Sequence, residues 1–326
     1  MPIYLCALEF RHRLSKYPAM ASLSHRQGWS FAVVLLIFPC VFFGRSNTDS
    51  PAVTYRTGAS EVRITFFATD ENNHLVNQIG ENDFAVVDSE MVIRDFRSLR
   101  RSDETQLDIV LLVDASESVG RRFRGTTEDV LRLVSENSQG SRDKISIITF
   151  AGLKPAFLCV DDCSDPEVDR KLQSLTPAGP TPLFDSLAFA ARFISNRHTG
   201  GVRQLLIVFS DGVDTISGSS PRDTLRALAA TGALLYSINV ESSKRETNGK
   251  PWLQQMAEVT GGRSFSMQDS SADILQGILA DLRASYVVTY PLPNRAAGFH
   301  SLRILPKNNL NLEFHCRRGY FYEESH

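Results

Sequence analysis

The chain has 326 residues, 42% of them apolar and 22% charged, with 35 basic against 37 acidic side chains for a formal net charge of −2. That length can bury a sizeable core, and the composition is that of a folded globular protein, which excludes an intrinsically disordered chain. Balanced charge, with no aromatic-interleaved stripe of Lys or Arg, argues against nucleic acid as a partner.

At the N-terminus, Arg11, Arg13, Lys16 and Arg26 precede the apolar run Phe31 to Phe43, which Pro39 interrupts. A membrane-spanning helix needs about 20 apolar residues, and this run is shorter. A basic flank before a short apolar core is the pattern of a secretory signal. Gly44-Arg45-Ser46 places small residues where a signal peptidase reads, so residues 1–46 are expected to be a signal peptide cleaved after Ser46. An uncleaved membrane anchor is the alternative, which leaves a membrane tether open. A start at Met20 would leave a compact signal with Arg26 as its basic flank. Phe38-Pro39 before Cys40 are too bulky and rigid for a lipoprotein site. The expected location is extracytoplasmic, either periplasmic or secreted.

Residues 47–59 are polar and mixed, and read as a linker. From Glu61, Val62, Ile64, Phe66 and Ala68 alternate with Arg63, Thr65 and Phe67, the period of a strand. Asp70 to Asn73 is a turn signal, followed by Leu75-Val76. Two further strands are predicted at Phe84–Asp88 and Met91–Phe96, around Asp88-Ser89-Glu90. Residues 60–104 thus form an all-β segment.

From about 105 to 283, strands alternate with helices. The predicted strands are Ile109–Val113, Lys144–Phe150, Pro155–Val160, Gln204–Phe209, Ala233–Val240 and Arg263–Met267. One helix opens at Thr126-Thr127-Glu128-Asp129, and another at Ser164-Asp165-Pro166-Glu167, with proline and carboxylates suited to a first turn. Others run over Pro182–Asn196, Pro221–Thr231, Pro251–Thr260 and Ser271–Ala284, three of them led by proline. Such alternation implies a doubly wound α/β fold, its mostly parallel sheet covered on both faces. The β pattern returns in 284–326, at Tyr286–Tyr290, His300–Leu305 and Leu312–Cys316. Two β-rich flanks predict that 284–326 packs on 60–104, with the α/β core inserted between them.

The five cysteines split unevenly. Cys6 and Cys40 lie in the leader. Cys159 and Cys163 are close enough to bridge in an oxidising compartment, or are simply small buried apolar residues. Cys316 is then a free thiol. No Cys-x-x-Cys pair supports zinc or thiol redox chemistry.

The informative stretch is Asp114-Ala115-Ser116-Glu117-Ser118, which ends the apolar run Leu107–Val113. One carboxylate and two hydroxyls on one tight turn offer hard oxygen ligands to a divalent cation. In open α/β sheets, ligands gather beyond the carboxyl ends of the strands, where strand order reverses. Asp211 lies just past Leu205–Ser210, and Thr181 sits in Ala178-Gly179-Pro180-Thr181-Pro182, a turn before a helix. Two serines, a threonine and two aspartates suit magnesium, partly through water. The competing reading is a plain turn whose hydroxyls cap the next helix. Asp185 and Asp214 are expected to brace loops. Asp161, Asp162, Asp165 and Glu167 are expected to cap and to be solvated, since their spacing is not that of a calcium loop.

Three motifs, in order and over roughly 105–283, resemble the von Willebrand factor A domain and its metal-ion-dependent adhesion site. They are Asp114-x-Ser116-x-Ser118, Gly-Pro-Thr181-Pro-Leu-Phe-Asp185-Ser-Leu, and Phe-Ser-Asp211-Gly-Val-Asp-Thr. The resemblance implies a Rossmann-like fold in which Ser116, Ser118 and Thr181 ligate the metal and Asp114 and Asp211 contribute directly or through water. It implies magnesium, with manganese or calcium as substitutes, and a last coordination position filled by an acidic group of a protein partner. The stretch Asp70 to Asp88 and the terminal Cys316-Arg317-Arg318-Gly319-Tyr320-Phe321 also resemble segments flanking this domain in exported bacterial proteins, many of them acidobacterial.

Catalytic patterns are missing from the sequence. There is no His-Glu-x-x-His, no Gly-x-Ser-x-Gly around Ser210 and no phosphate-cradling loop. A phosphatase using a strand-end aspartate would want a second one where Ser116 stands. The expectation is a non-enzymatic binding protein of adhesion or complex assembly. Its alternative is a structural or assembly component of the cell envelope with a vestigial metal site.

Overall fold

A computed structural model of the chain describes residues 54–55, 61–102, 106–138, 143–197, 202–240, 251–266 and 271–322. The expected leader, with Met20, Cys6 and Cys40, lies outside the described residues. Among the described residues, no helix is long and apolar enough to cross a membrane.

The first flank contributes β1 (Thr54–Tyr55), β2 (Glu61–Thr69), β3 (Phe84–Asp88), β4 (Met91–Ile93) and β5 (Ser98–Arg101). The α/β region follows with β6 (Leu107–Asp114), a 3-10 turn at Glu117–Val119, α1 (Phe123–Ser138), β7 (Lys144–Ala151) and β8 (Lys154–Cys159). It continues through α2 (Pro166–Ser174), α3 (Leu183–Ser195), β9 (Arg203–Ser210), α4 (Pro221–Thr231) and β10 (Leu234–Asn239). It ends with α5 (Trp252–Thr260), β11 (Ser264–Ser266) and α6 (Ser271–Arg283). The second flank holds β12 (Tyr286–Pro291), β13 (Gly298–Pro306), β14 (Glu313–Cys316) and β15 (Gly319–Tyr322).

Six strands form one sheet in the order β11-β10-β9-β6-β7-β8, parallel except for the antiparallel edge pair β7–β8. Alternation along β6 explains why both faces are covered. Ile109, Leu111 and Val113 pack with Val130 and Leu133 of α1, Leu172 of α2 and Ile278 of α6. Val110 and Leu112 face the other way, with Leu187 of α3, Leu228 of α4 and Met256 of α5. A strand buried on both faces is apolar along its middle, as this one is from Ile109 to Val113, between Asp108, which pairs with Arg197, and Asp114 at its end. The fold is therefore doubly wound α/β, with β6 at the point where strand order reverses. Asp114 ends that strand.

Helix ends follow the sequence, with three exceptions. Asp165 accepts from the Glu167 N–H at 2.7 Å and Ser220 from the Asp223 N–H at 3.1 Å, each ahead of a proline in the first turn. Pro182 and Pro251, in contrast, stand one residue outside their helices, with ψ of 59° and 144°. The pyrrolidine ring fixes φ alone and leaves ψ open. Helix α1 begins at Phe123, earlier than Thr126, because the 5% exposed Phe123 is anchored in the core. Gly261 ends α5 at φ +91°, and a Cβ there would stand 2.6 Å from the Cys316 carbonyl carbon. Only glycine meets both demands.

The flanks pair with each other. Strands from both sides of the α/β region make a four-stranded sheet, β14-β2-β12-β5, and a five-stranded one, β1-β15-β13-β3-β4. Phe66, Phe84, Val86, Val288, Leu302 and Ile304 share one core between them. Within it, Asp88 accepts hydrogen bonds from the hydroxyls of Tyr290 at 2.8 Å, Tyr320 at 2.9 Å and Ser89 at 3.2 Å. His300 stacks on Tyr320 and holds its Nδ1 3.7 Å from Asp88. Residues 54–55, inside the segment read as linker, form a short strand parallel to β15. Leu75 makes only an isolated bridge to Thr69.

The two chain crossings between flank and α/β region are clamped side by side. The Ser102 N–H donates to the Ser285 carbonyl at 2.8 Å. Arg203, at the start of β9, reaches the Leu282 carbonyl at 2.8 Å and the hydroxyls of Ser285 and Ser102. Cys159 and Cys163 are disulfide-bonded at the end of edge strand β8, and Cys316 is a buried free thiol.

Candidate metal centre

The Asp114 side chain is 1% exposed. Its Oδ1 accepts from the Ser116 N–H at 2.9 Å and its Oδ2 from the Ser210 hydroxyl at 2.7 Å. Burial pushes its pKa above the ordinary carboxylate value, and the nearby charge of Asp211 pushes the same way; the hydrogen bonds from Ser116 and Ser210 pull against them. Among the described residues, no Lys or Arg forms an ion pair with Asp114.

Ser116 precedes the 3-10 turn but makes no side-chain capping bond. Its Oγ instead lies 3.1 Å from the Ser118 Oγ. The hydroxyls are therefore gathered with each other and not spent on the following helix, and the capping alternative fails on this point.

Backbone bonds bring the remaining loops to the same rim. The Ala178 N–H donates to Ala115 O at 3.0 Å and the Glu117 N–H to Gly179 O at 3.1 Å, knitting the Asp114 turn to the turn that carries Thr181. Gly152, at the tip of the β7–β8 hairpin, donates to Pro180 O at 2.8 Å. Thr181 is 2% exposed; its N–H donates to Thr215 Oγ1 at 2.7 Å, and its carbonyl accepts from the Thr215 N–H at 2.9 Å. Asp211 follows Ser210 at the end of β9, next to β6 in the sheet, and its Oδ1 accepts from the Val213 N–H at 3.0 Å.

Ser116 thus links Asp114 to Ser118, and the charge of Asp211 is felt at Asp114. Thr181 reaches the rim through its loop, and no hydrogen bond among the described residues joins it to the other four. Asp185 and Asp214 brace loops. Asp185 accepts from the Gly218 and Ser219 N–H groups at 3.0 and 2.8 Å, and Asp214 from Phe184 N–H at 3.3 Å and Ser217 Oγ at 2.5 Å.

Two residues gained a place that sequence reasoning had not given them. Ser210 matters as a donor to Asp114, and Thr215 as the lock on Thr181. Both stand in the Phe-Ser-Asp-Gly-Val-Asp-Thr stretch, but their roles depend on which strands and loops are neighbours. The donor set is two carboxylates and three hydroxyls, with no nitrogen or sulfur. No group of three or more His, Cys, Asp or Glu stands together among the described residues, so the hydroxyls are indispensable to any ion held here. An all-oxygen set with a buried Asp114 under the charge of a half-buried Asp211 fits a hard divalent cation.

Residues 108–281, just over half of the chain, match the family model of the von Willebrand factor type A domain. The chain belongs to that family. The magnesium-chelatase 67 kDa subunit of Chlorobaculum parvum is 23% identical over 194 residues, covering 55% of this chain and 31% of that protein. The human collagen alpha-6(VI) chain is 26% identical over 197 residues, covering 59% of this chain and 8% of that one. This von Willebrand factor A protein thus spans less than a third of either relative. Among solved structures, an aerotolerance-related membrane protein from Bacteroides fragilis aligns with a TM-score of 0.41 at 20% identity, over 54% of this chain and 98% of that one. Proximal thread matrix protein 1 of the mussel byssus aligns with a TM-score of 0.43 at 16% identity, over 57% and 50%. Domains of the family serve mostly in protein interaction and adhesion, and mostly not in catalysis.

Proposed function

We propose that this chain is an exported, non-enzymatic binding protein whose A domain holds one divalent cation and uses it to grip a carboxylate on a protein partner. Ser116, Ser118 and Thr181 ligate the ion, with Asp114 and Asp211 contributing directly or through water. Magnesium is the expected ion, with manganese or calcium able to replace it. Once bound, it supplies the positive charge that a partner's carboxylate seeks.

One observation carries the reading: a carboxylate 1% exposed, without a basic partner among the described residues, beside a second carboxylate and a pair of hydroxyls. Burying an acid without a counter-charge costs stability unless a cation arrives. Neutral hydroxyls fill coordination positions without adding negative charge, and an aspartate that contributes through water offsets the ion's charge only in part. The ion therefore still attracts an anionic partner. Export is supported by the basic-then-apolar N-terminus and by the Cys159–Cys163 disulfide, a bond favoured in oxidising compartments.

Isothermal titration of the full chain with magnesium tests the ion directly. Saturable uptake that Asp114→Ala abolishes is expected, and uptake indifferent to that change sinks the reading. Sequencing the mature N-terminus tests export. A second reading, an envelope structural component with a vestigial metal site, draws on the exposed outer face of the flank sheet, where Val92, Phe299 and Leu305 are 57%, 56% and 43% exposed. It predicts no magnesium uptake.

A further inference from the structure

Two exposed apolar side chains bracket the Thr181 turn, and the fold gives neither a task. Leu153 takes the second position of the two-residue turn between β7 and β8 and is 79% exposed. Gly152, at φ +65°, already supplies the left-handed residue that so short a hairpin needs. Position 153 is thus free to be polar, as turn positions usually are. The bond from Gly152 N–H to Pro180 O fixes this tip next to Thr181. On the other side, Ile216 is 43% exposed and follows Thr215, whose backbone and hydroxyl both bond Thr181. A single exposed apolar residue is ordinary. These two come from separate loops, each tied to the same candidate ligand turn.

Exposed cations stand close to these two side chains. Arg121 and Lys154 are exposed on loops near this rim, where Glu117 is the fully exposed acid and Asp211 and Asp214 are half-buried. The arginine turn belongs to the rim, since a Cβ on Gly120 would stand 3.9 Å from Pro177. With Asp211 at the ion and Asp214 bracing loops, the exposed cations add to the ion's pull on an acidic segment.

We infer that the partner segment seated here is an acidic residue flanked by apolar side chains, its carboxylate at the ion and its apolar neighbours against Leu153 and Ile216. The inference rests on the metal-bridged reading above and adds the chemistry of the partner. A polypeptide supplies both features within three residues. A free carboxylate supplies only one.

The test uses the full chain in magnesium and three capped peptides, Gly-Gly-Leu-Asp-Leu-Gly-Gly, Gly-Gly-Ser-Asp-Ser-Gly-Gly and Gly-Gly-Leu-Asn-Leu-Gly-Gly. Partial burial of leucine side chains makes the Leu-Asp-Leu peptide bind about tenfold more tightly than Ser-Asp-Ser. In Leu153→Ser that preference falls to about threefold or less, with magnesium uptake unchanged; Ile216→Ser has the same, smaller effect. Equal binding of the two Asp peptides, or a preference that neither substitution moves, overturns the inference. If EDTA still releases both peptides in that case, the metal-bridged reading survives alone. If the Asn peptide binds as tightly as Leu-Asp-Leu and EDTA changes nothing, both readings fall. Binding by none of the three overturns the inference, and the magnesium titration then judges the ion separately.

Discussion

Asp88 in the paired flanks and Asp114 at the end of β6 are both withdrawn from solvent, at 0% and 1% exposure. Asp88 meets three hydroxyls carried by β12, β15 and the residue after β3, with an imidazole nitrogen close by. Asp114 meets one N–H and one hydroxyl, and faces the charge of Asp211. A buried acid surrounded by donors holds strands together. A buried acid with fewer donors, near another acid, gains stability from a cation where one binds. The same residue type serves opposite ends in one chain, and the difference lies entirely in the neighbours.

Matched substitutions break that comparison most directly. Asp88→Ala strands three buried hydroxyls and is expected to cost about 4 kcal/mol, read as a lower denaturant midpoint. Asp114→Asn keeps the acceptor for Ser116 and removes the repulsion, so it should cost less than about 1 kcal/mol without metal. Equal losses at the two positions would erase the distinction. Magnesium at about a hundred times its dissociation constant should then stabilise the unsubstituted chain by roughly 2.7 kcal/mol and Asp114→Asn not at all, measured as midpoint shifts with and without EDTA.

Acid sharpens the contrast from the flank side. Burial, and then the nearby Arg263 charge, lower the His315 pKa to about 4, where the ring stacks on Phe67 and contacts Thr69. A depressed histidine pKa means that the unfolded chain binds the extra proton between the ordinary value of about 6.5 and about 4. Stability is therefore whole above pH 6.5 and declines as pH falls through that window, by on the order of 2 kcal/mol. His315→Gln should flatten the slope; an unchanged slope would place the titration elsewhere. The smallest effect belongs to Tyr290→Phe. Burial and then Asp88 push this phenol far above its ordinary pKa, so it stays a neutral donor. Losing that one bond should cost about 1.5 kcal/mol in the same assay, with magnesium binding untouched.

What could be read in advance was what is local. The run Ile109–Val113 announces a doubly covered strand because every residue in it, on both faces, is apolar, and Asp114 with Ser116 and Ser118 falls on a single turn. Strand β5 escaped notice because Ser98-Leu99-Arg100-Arg101 has no amphipathic alternation. It is extended because β12 offers it an edge, pairing Leu99 with Val288. Thr54–Tyr55 is a strand for the same reason, beside β15. Ser210 was weighed only as a nucleophile, since its service to Asp114 appears once β9 and β6 are known to be neighbours. Thr215 likewise depends on a partner 34 residues away. Contacts remote in sequence leave no period to read.

The clamped crossings at Ser102 and Ser285 have a mechanical consequence. They lie at the amino ends of β6 and β9, about 25 Å of extended chain from the carboxyl ends where a ligand would be gripped. A tug on a ligand held there would run lengthwise down β6 toward one crossing, with the second crossing coupled to β9 through Arg203. Such a pull would load the parallel strands in shear along their length, where many hydrogen bonds resist together, and the Ser102–Ser285 bond would join the two crossings under it.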